Sequence, residues 1–595
     1  MTNYESIYPG VTYLLDPNYH FTGYRIPINE MGGTTSIQTA NQLKQVSDML
    51  NQGMKTTEVS VINPEVFEMI PKDMFKEIYR LNKLTGAEST LHAPIIDPSG
   101  FTQEGWSEEN RKAVERQFEN VISRSHELNP NGNIPVTIHS SGIPGSEMIP
   151  GVKGMLTDEE REKGLKEVYG RIIAIDQESG KPINLEREKV FFPGRAPEGE
   201  IQTPEQRLKT ANYSKLINEI TNLAFYKKTA DEILGPAYAE VAYILAKRAP
   251  TEEELKKHEG AFQNMGRAQL FLDNVETSFR KLYEQAAKFG DDETKKVLNT
   301  ISDEWKEKNK LMHESAEKNP YNIPMIKTNL LDKTINILKV LEQHPPEFYK
   351  KVEDFAQQKA SDTLSAVAFN SYKEFGKNSP IISIENPPYG SALSSGKDLK
   401  NLIQETRKKF ADKLIQKDGL SKKEAEQAAE RLIGATWDTS HISMIRKQGF
   451  GPEKITAETK EIAKYVKHVH FNDNFGSTHT DLPPGMGSVP IKDILEVLEK
   501  EKFKGKKIFE GGNFFQHFQT SPFPYTLEYS GSPLLEGGAY FNQTFGYQAP
   551  YFSERGSLNP SIHHSMYSSR FQSLPLELGG EVPGSQSRFA GTPNA

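Results

Sequence analysis

The chain of 595 residues contains no cysteine, which excludes a disulfide, a thiolate nucleophile and a cysteine-type zinc site. Any metal ion would therefore be held by histidine, aspartate and glutamate side chains. The sequence also lacks an uninterrupted apolar run of about 18 residues, and its N-terminus has no basic segment followed by an apolar one. We therefore expect a cytoplasmic protein.

Excess positive charge is also missing. The formal net charge of -8 at pH 7 argues against a general polyanion-binding surface. Hydrophobic residues make up 36% of the chain and charged residues 26%, which is typical of a globular protein. At this length more than one structural module is expected.

Eight short apolar segments alternate with amphipathic helical stretches along the chain. They are YRIPI (24–28), EVSVI (58–62), STLHA (89–93), PVTIH (135–139), IISIE (381–385), IGATWD (433–438), VKHVHFND (466–473) and KKIFE (506–510). Strands that alternate with helices predict a parallel sheet, and eight such units close a (β/α)8 TIM barrel. The barrel is predicted to comprise residues 1–150 and 378–520.

A long segment, 151–377, interrupts this alternation after the fourth strand. Most of it has the three- and four-residue apolar spacing of long charged helices, which predicts a large helical insertion. The insertion could act as a lid over the barrel mouth, or as a helical bundle for assembly or for binding a protein partner. From 521 to 595 glycine, serine, proline and aromatic residues dominate, which predicts an irregular C-terminal tail that could also contact a partner.

Histidine and carboxylate residues end six consecutive predicted strands, where TIM barrels assemble their active sites. These residues are His92, His139, Glu385, Asp438, His470 and Glu510, and the loops after the sixth and seventh strands add His441, His479 and Asp481. So many ionisable groups in one barrel mouth would be costly without cations. The set predicts a metal centre, and its mixed ligands suit Zn²⁺ or Mn²⁺. We expect His468 to point away from the barrel interior.

Seven motifs occur in order along the chain: HAP (92–94), TIHSSG (137–142), IENPP (384–388), WDTSH (437–441), HFND (470–473), HTDLPPGMG (479–487) and FEGG (509–512). They resemble the motifs of the xylose-isomerase-like barrels, in particular endonuclease IV, the AP endonuclease family 2. The resemblance covers residues from about 20 to 515, without the insertion.

This resemblance implies a site for up to three Zn²⁺ ions. It implies that His92 and His139 bind the first ion, that Asp438 and His470 bind the second, and that Glu385 bridges the two, with Glu510 serving the same pair. It implies a third ion on His441, His479 and Asp481. The order His479-Thr480-Asp481 departs from the Asp-x-His order usual in the family, so the geometry of this third ion is open.

Three functions are compatible with the sequence. The first is hydrolysis of a phosphodiester by the zinc cluster, for example at an abasic site in DNA, with Glu385 and Glu510 orienting or deprotonating the attacking water. The second is isomerisation or epimerisation of a sugar or sugar phosphate, with a single Mn²⁺, Mg²⁺ or Co²⁺ on Glu385, Asp438, His470 and Glu510. The third is a scaffold or binding protein with a structural metal. The number of ligands favours hydrolysis, whereas the acidic charge and the lack of an aromatic wedge after His92 favour the isomerase.

Overall fold

The computed structural model describes residues 30–511 apart from 38, 153, 155 and 195, together with Ile26, Phe514, Pro522 and Thr526. The predicted tail, 521–595, lies outside the described residues except at Pro522 and Thr526. Among the helices of the described part, none combines the length and apolar character that crossing a membrane requires.

Eight parallel strands form a closed barrel, in which each strand pairs with the next and the eighth pairs with the first. They are β1 (Met31–Thr34), β2 (Thr56–Ser60), β3 (Glu88–His92), β4 (Pro135–His139), β5 (Ile381–Glu385), β6 (Ile433–Asp438), β7 (Val466–His470) and β8 (Lys507–Phe509). The predicted (β/α)8 TIM barrel is confirmed.

The first strand differs from the prediction. It is Met31–Thr34, with the sequence MGGT, whereas the predicted segment was 24–28, of which only Ile26 is described and is not in a strand. Glycine has little intrinsic preference for strands, so the segment carries no propensity signal. The backbones of β1 and β2 nevertheless approach so closely that a Cβ atom on Gly32 would lie 2.1 Å from the Thr56 carbonyl oxygen. This close approach is the reason for glycine here.

Helices follow the barrel strands and bury apolar side chains such as Phe75, Phe118 and Phe410. Their bounds are Gln42–Asn51, Pro64–Met69, Lys72–Thr85, Glu108–Ser125, Val352–Phe375, Gly396–Asp418, Lys422–Leu432, Thr439–Ser443, Pro452–Ile462 and Ile491–Lys500. Short 3-10 helices cover His126–Leu128, Gly376–Asn378, Met444–Gln448 and Ala463–Tyr465, and short strands cover Phe101–Thr102, Gly105–Trp106 and Glu147–Pro150. Capping hydroxyls accept backbone N–H groups at Ser107 and Ser421, which explains where two of the helices begin.

The chain divides into two compact units, Gly151–Val352 and the remainder. The strands of the unit Gly151–Val352 are Glu167–Asp176, Pro182–Glu186, Glu188–Phe192, Ala196–Gln202 and Tyr349–Lys351. Its helices are Asp158–Glu162, Pro204–Leu245, Glu252–Lys257, Glu259–Phe289, Asp292–Lys318 and Ile323–Leu338, with 3-10 turns at Pro320–Asn322 and Lys339–Glu342. The long helices share a core that includes Leu216, Leu272 and Phe279.

The structure adds two details to the predicted helical insertion, 151–377. Its long helices begin at Pro204, and antiparallel strands within residues 167–202 precede them. The helix Val352–Phe375 lies almost wholly in the barrel unit, which resumes at Glu353. Amphipathic spacing shows that a helix has an apolar face, but it does not tell which core that face packs against.

Candidate metal centre

The register of the parallel strands places the predicted donors side by side at the C-terminal end of the barrel. Glu385 at the end of β5 pairs with His139 at the end of β4, and Asp438 at the end of β6 pairs with His470 at the end of β7. Paired positions on neighbouring strands point to the same side of a sheet. The donors therefore meet inside the barrel mouth.

Glu385 lies at the middle of this cluster and is fully buried. Its Oε2 atom is 3.0 Å from Nε2 of His139 and 3.3 Å from Nε2 of His92. Its Oε1 atom is 2.7 Å from Nδ1 of His470. The carboxylate therefore faces one pair of histidines with one oxygen and a third histidine with the other.

Two asparagines position Asp438, and one of them also contacts the carboxylate of Glu510. Nδ2 of Asn472 donates to Oδ2 of Asp438 at 2.9 Å and to Oε2 of Glu510 at 3.3 Å. The side-chain amide of Asn386 exchanges two hydrogen bonds with the backbone of Asp438, at 2.8 and 3.0 Å. Oε2 of Glu510 lies 3.2 Å from Nδ1 of His470, the same ring nitrogen that contacts Glu385.

The third predicted set of donors adjoins the first two. Nε2 of His441 is 2.8 Å from Nε2 of His479, which is 3.4 Å from Oδ1 of Asp481. Nδ1 of His441 contacts the carbonyl oxygen of Asn386 at 2.7 Å, and a donated N–H there leaves a lone pair on Nε2. Despite its reversed order, the loop thus brings His479 and Asp481 beside His441.

Burial and neighbouring charges shift the pKa values of two carboxyl groups in the cluster in opposite directions. Burial opposes ionisation of Glu385, but the electrostatic interactions and hydrogen bonds with His470 and His139 outweigh it and hold the pKa of that carboxyl well below its usual range. Burial, with the charges of Glu385 and Glu510, raises the pKa of Asp438 well above its usual range. A bound cation would favour the ionised form of both carboxylates.

The pKa values of two histidines in the cluster are also shifted in opposite directions. Burial disfavours the charged form of His92, but the hydrogen bond with Glu385 and that carboxylate's charge raise the pKa of His92 to about 9. Burial lowers the pKa of His441 to about 3, and the charge of His479 adds to the effect. Neutral His441 has the protonation state that a metal ligand requires.

These residues fit a divalent metal ion. Donor atoms within 4.8 Å of one another form three groups in the described part of the chain: Glu385, Asp438, His470 and Glu510; His92, Glu385 and His470; and Glu58, His468 and His470. Oε2 of Glu385 is buried and accepts no hydrogen bond of standard geometry, although it faces His92 and His139. Histidine, glutamate and aspartate groups able to bind a metal are thus present, while the ligand role of each residue stays a prediction.

Two residues of the interior were missed. His468 was expected to point away from the barrel interior, and this expectation is wrong, because residues two apart on a strand share a face and His470 points inward. His468 is fully buried, with Nε2 2.8 Å from Oε2 of Glu58 on β2. The sequence did contain a signal for Glu58. A glutamate in an otherwise apolar strand segment is expected to need a partner if it is buried.

Comparison with known proteins agrees with the motifs. Residues 413–514 match the model of a family described as xylose isomerase-like TIM barrel. The resemblance to this type of barrel, predicted from the sequence, is confirmed, and the matched segment contains Asp438, His441, His470, His479, Asp481 and Glu510.

One solved structure similar to this chain is the crystal structure of a D-tagatose 3-epimerase-like protein. The TM-score is 0.34 and the sequence identity 10%, over 81% of this chain and 91% of that chain. A comparison with curated protein sequences found no match.

Proposed function

We propose that the protein is a metal-dependent hydrolase that cleaves a phosphodiester, with up to three Zn²⁺ ions held by the nine predicted donors. The observation that carries the proposal is the position of Glu385, which faces His92 and His139 with Oε2 and His470 with Oε1. A carboxylate placed between two sets of donors suits a site with more than one ion. A single ion on Glu385, Asp438, His470 and Glu510 would leave His92 and His139 without a role.

Divalent ions bound in such a site lower the pKa of water and balance the charge of a phosphate group. The protein's own groups provide the remaining functions. Glu510 exposes 19% of its side chain, whereas Glu385 exposes none, so Glu510 can accept a hydrogen bond from an attacking water that enters from the mouth. Asn472 restrains both Glu510 and Asp438, which keeps that acceptor in place.

The substrate approaches from the side of His139 and His479, whose side chains are 15% and 43% exposed. A phosphodiester is the substrate class, and abasic DNA is the first member to test. The net charge of -8 offers little long-range attraction for DNA, so we expect binding to depend on contacts within the mouth.

A second candidate is the sugar or sugar-phosphate isomerase with one Mn²⁺, Mg²⁺ or Co²⁺. It is favoured by the compactness of one donor group, since atoms of Glu385, Asp438, His470 and Glu510 all lie within 4.8 Å of one another. In this candidate the two glutamates flank the substrate and move a proton next to its carbonyl.

The variant His139→Asn distinguishes the two candidates, because only the multi-ion site uses His139. The full chain is loaded with Zn²⁺ or Mn²⁺, its metal content is measured, and incision of abasic duplex DNA is compared with interconversion of ketoses. We expect close to three zinc ions per chain and a loss of hydrolysis of at least roughly 100-fold in His139→Asn.

His126→Asn is the matched control, since His126 stacks on Phe375 with ring centroids 3.9 Å apart and is no member of the donor cluster. One bound ion together with ketose interconversion that survives His139→Asn would replace the hydrolase with the isomerase. Bound metal with neither activity would support the scaffold hypothesis instead.

A further inference from the structure

The barrel interior one layer below the metal centre is polar, although branched apolar side chains usually fill this part of a TIM barrel. The residues two positions before the donors on β3 to β7 are Thr90, Thr137, Ser383, Thr436 and His468, and all are buried. They form two groups. Thr436 hydrogen-bonds Thr137 at 3.0 Å and Ser383 at 2.8 Å, while Thr90 and His468 surround Glu58.

Glu58 is fully buried, and a polar side chain lies close to each of its two oxygens. Oε2 accepts a hydrogen bond from Oγ1 of Thr90 at 2.7 Å and lies 2.8 Å from Nε2 of His468. Oε1 lies 2.9 Å from Nε2 of His470. Burying a carboxylate at this depth costs desolvation free energy unless the carboxylate is paired. The partners of Glu58 therefore bear on its function.

His470 connects Glu58 to the metal centre through its two ring nitrogens. Nδ1 faces the centre, 2.7 Å from Oε1 of Glu385 and 3.2 Å from Oε2 of Glu510. Nε2 lies 2.9 Å from Oε1 of Glu58, and neither atom makes a hydrogen bond of standard geometry with any group in the described part of the chain. A histidine that binds a metal through one nitrogen carries its proton on the other, and that proton needs an acceptor.

We propose that Glu58 is a positioning residue of the metal centre, whose carboxylate accepts a hydrogen bond from the Nε2–H group of His470 and so directs the Nδ1 lone pair at the metal. Thr90 and His468 hold Oε2, which leaves Oε1 turned towards His470. The proposal rests on the metal centre of the proposed function, but not on the reaction that the centre catalyses.

The test measures metal affinity and ligand geometry in the full-length protein. Competition with a chromophoric chelator gives the Kd for Zn²⁺ and Co²⁺ of the wild type, Glu58→Gln, Glu58→Met and the control Thr436→Val. Thr436 lies in the same layer and also makes buried hydrogen bonds, but its contacts described above do not include a predicted donor. We expect the Kd to rise roughly 100-fold in Glu58→Met and roughly 10-fold in Glu58→Gln, whose amide oxygen can still accept a hydrogen bond.

The visible absorption of bound Co²⁺ separates positioning from a merely structural role. We expect the spectrum to change in both Glu58 variants and to stay as in the wild type in Thr436→Val. Unchanged affinity and spectrum in Glu58→Met, or equal losses in Thr436→Val, would overturn the proposal. If Glu58→Met does not fold, Glu58→Gln decides, and wild-type affinity in that variant refutes the positioning role.

The same measurements distinguish a failure of the positioning role from a failure of the proposed hydrolase function. A wild-type protein that binds metal through Glu58-dependent sites, yet cleaves no phosphodiester, leaves the positioning role intact and overturns the hydrolase. A wild-type protein that binds no divalent ion overturns both.

Discussion

Replacing Glu385 with glutamine removes one negative charge from the middle of the donor cluster while keeping the shape of the side chain. The contacts with His470 at 2.7 Å and His139 at 3.0 Å are each worth about 5 to 6 kcal/mol for a charged histidine, at an effective dielectric constant of about 20. Desolvation of the buried carboxylate offsets much of this energy, and a net loss of about 3 to 5 kcal/mol remains when one partner is removed.

Applied to the metal ions that Glu385 is proposed to bind, the same loss corresponds to a rise in Kd of roughly 10² to 10⁴-fold. Chelator competition measures this Kd, and elemental measurement after gel filtration gives the number of ions retained. We expect the variant to lose at least one ion and all measurable turnover, while circular dichroism shows a folded barrel.

Glu458→Gln is the matched control for the loss of a buried carboxylate. Glu458 is buried, and its Oε2 accepts a hydrogen bond from the backbone of Gly396 at 2.9 Å, but it is not one of the predicted donors. The reasoning is refuted if Glu385→Gln keeps the wild-type metal content and rate, or if Glu458→Gln loses metal to the same extent.

Two further predictions concern stability. Gly32→Ala is expected to lower the free energy of unfolding by about 3 kcal/mol, because the added Cβ would lie 2.1 Å from the Thr56 carbonyl oxygen. In the control Gly33→Ala the nearest atom would be 3.5 Å from the added Cβ, so its free energy of unfolding, measured with urea, should change little. The half-buried Lys413 has its pKa lowered by burial from 10.5 to about 8, so its charge destabilises the fold fully below pH 8 and progressively less up to pH 10.5. Lys413→Met should therefore raise the free energy of unfolding by about 1 kcal/mol at pH 7, after allowance for solvent screening, and the gain should shrink as the pH rises from 8 to 10.5. A gain that is the same at pH 7 and pH 10 would contradict this.

The barrel strands that could be predicted were those whose residues suit a buried strand. β5 reads IISIE and β6 reads IGATWD, and both are found where their apolar, β-branched residues predict. β1 has no such signal, because MGGT is selected for a close approach of two backbones rather than for side-chain packing. Such a requirement exists only once the neighbouring strand is in place.

The candidate site divides in the same way. The positions of His92, His139 and Glu385 were predictable because a parallel barrel brings the C-terminal ends of its strands together. A residue that ends a strand is therefore expected to lie at the barrel mouth. Glu58 and His468 lie one layer deeper, where the expected residue is apolar. Their contact joins β2 to β7 across the barrel interior, over 410 positions of sequence.

The sequence by itself therefore determined the fold class and the choice of nine candidate donors, because strand period and strand ends are local properties. Only the tertiary structure decided that Glu385 turns its two oxygens towards different histidines, and that the far nitrogen of His470 meets a buried carboxylate. Those relations depend on the curvature and register of a closed barrel, which bring distant side chains within 3 Å of one another. The chemistry proposed for this protein depends on them.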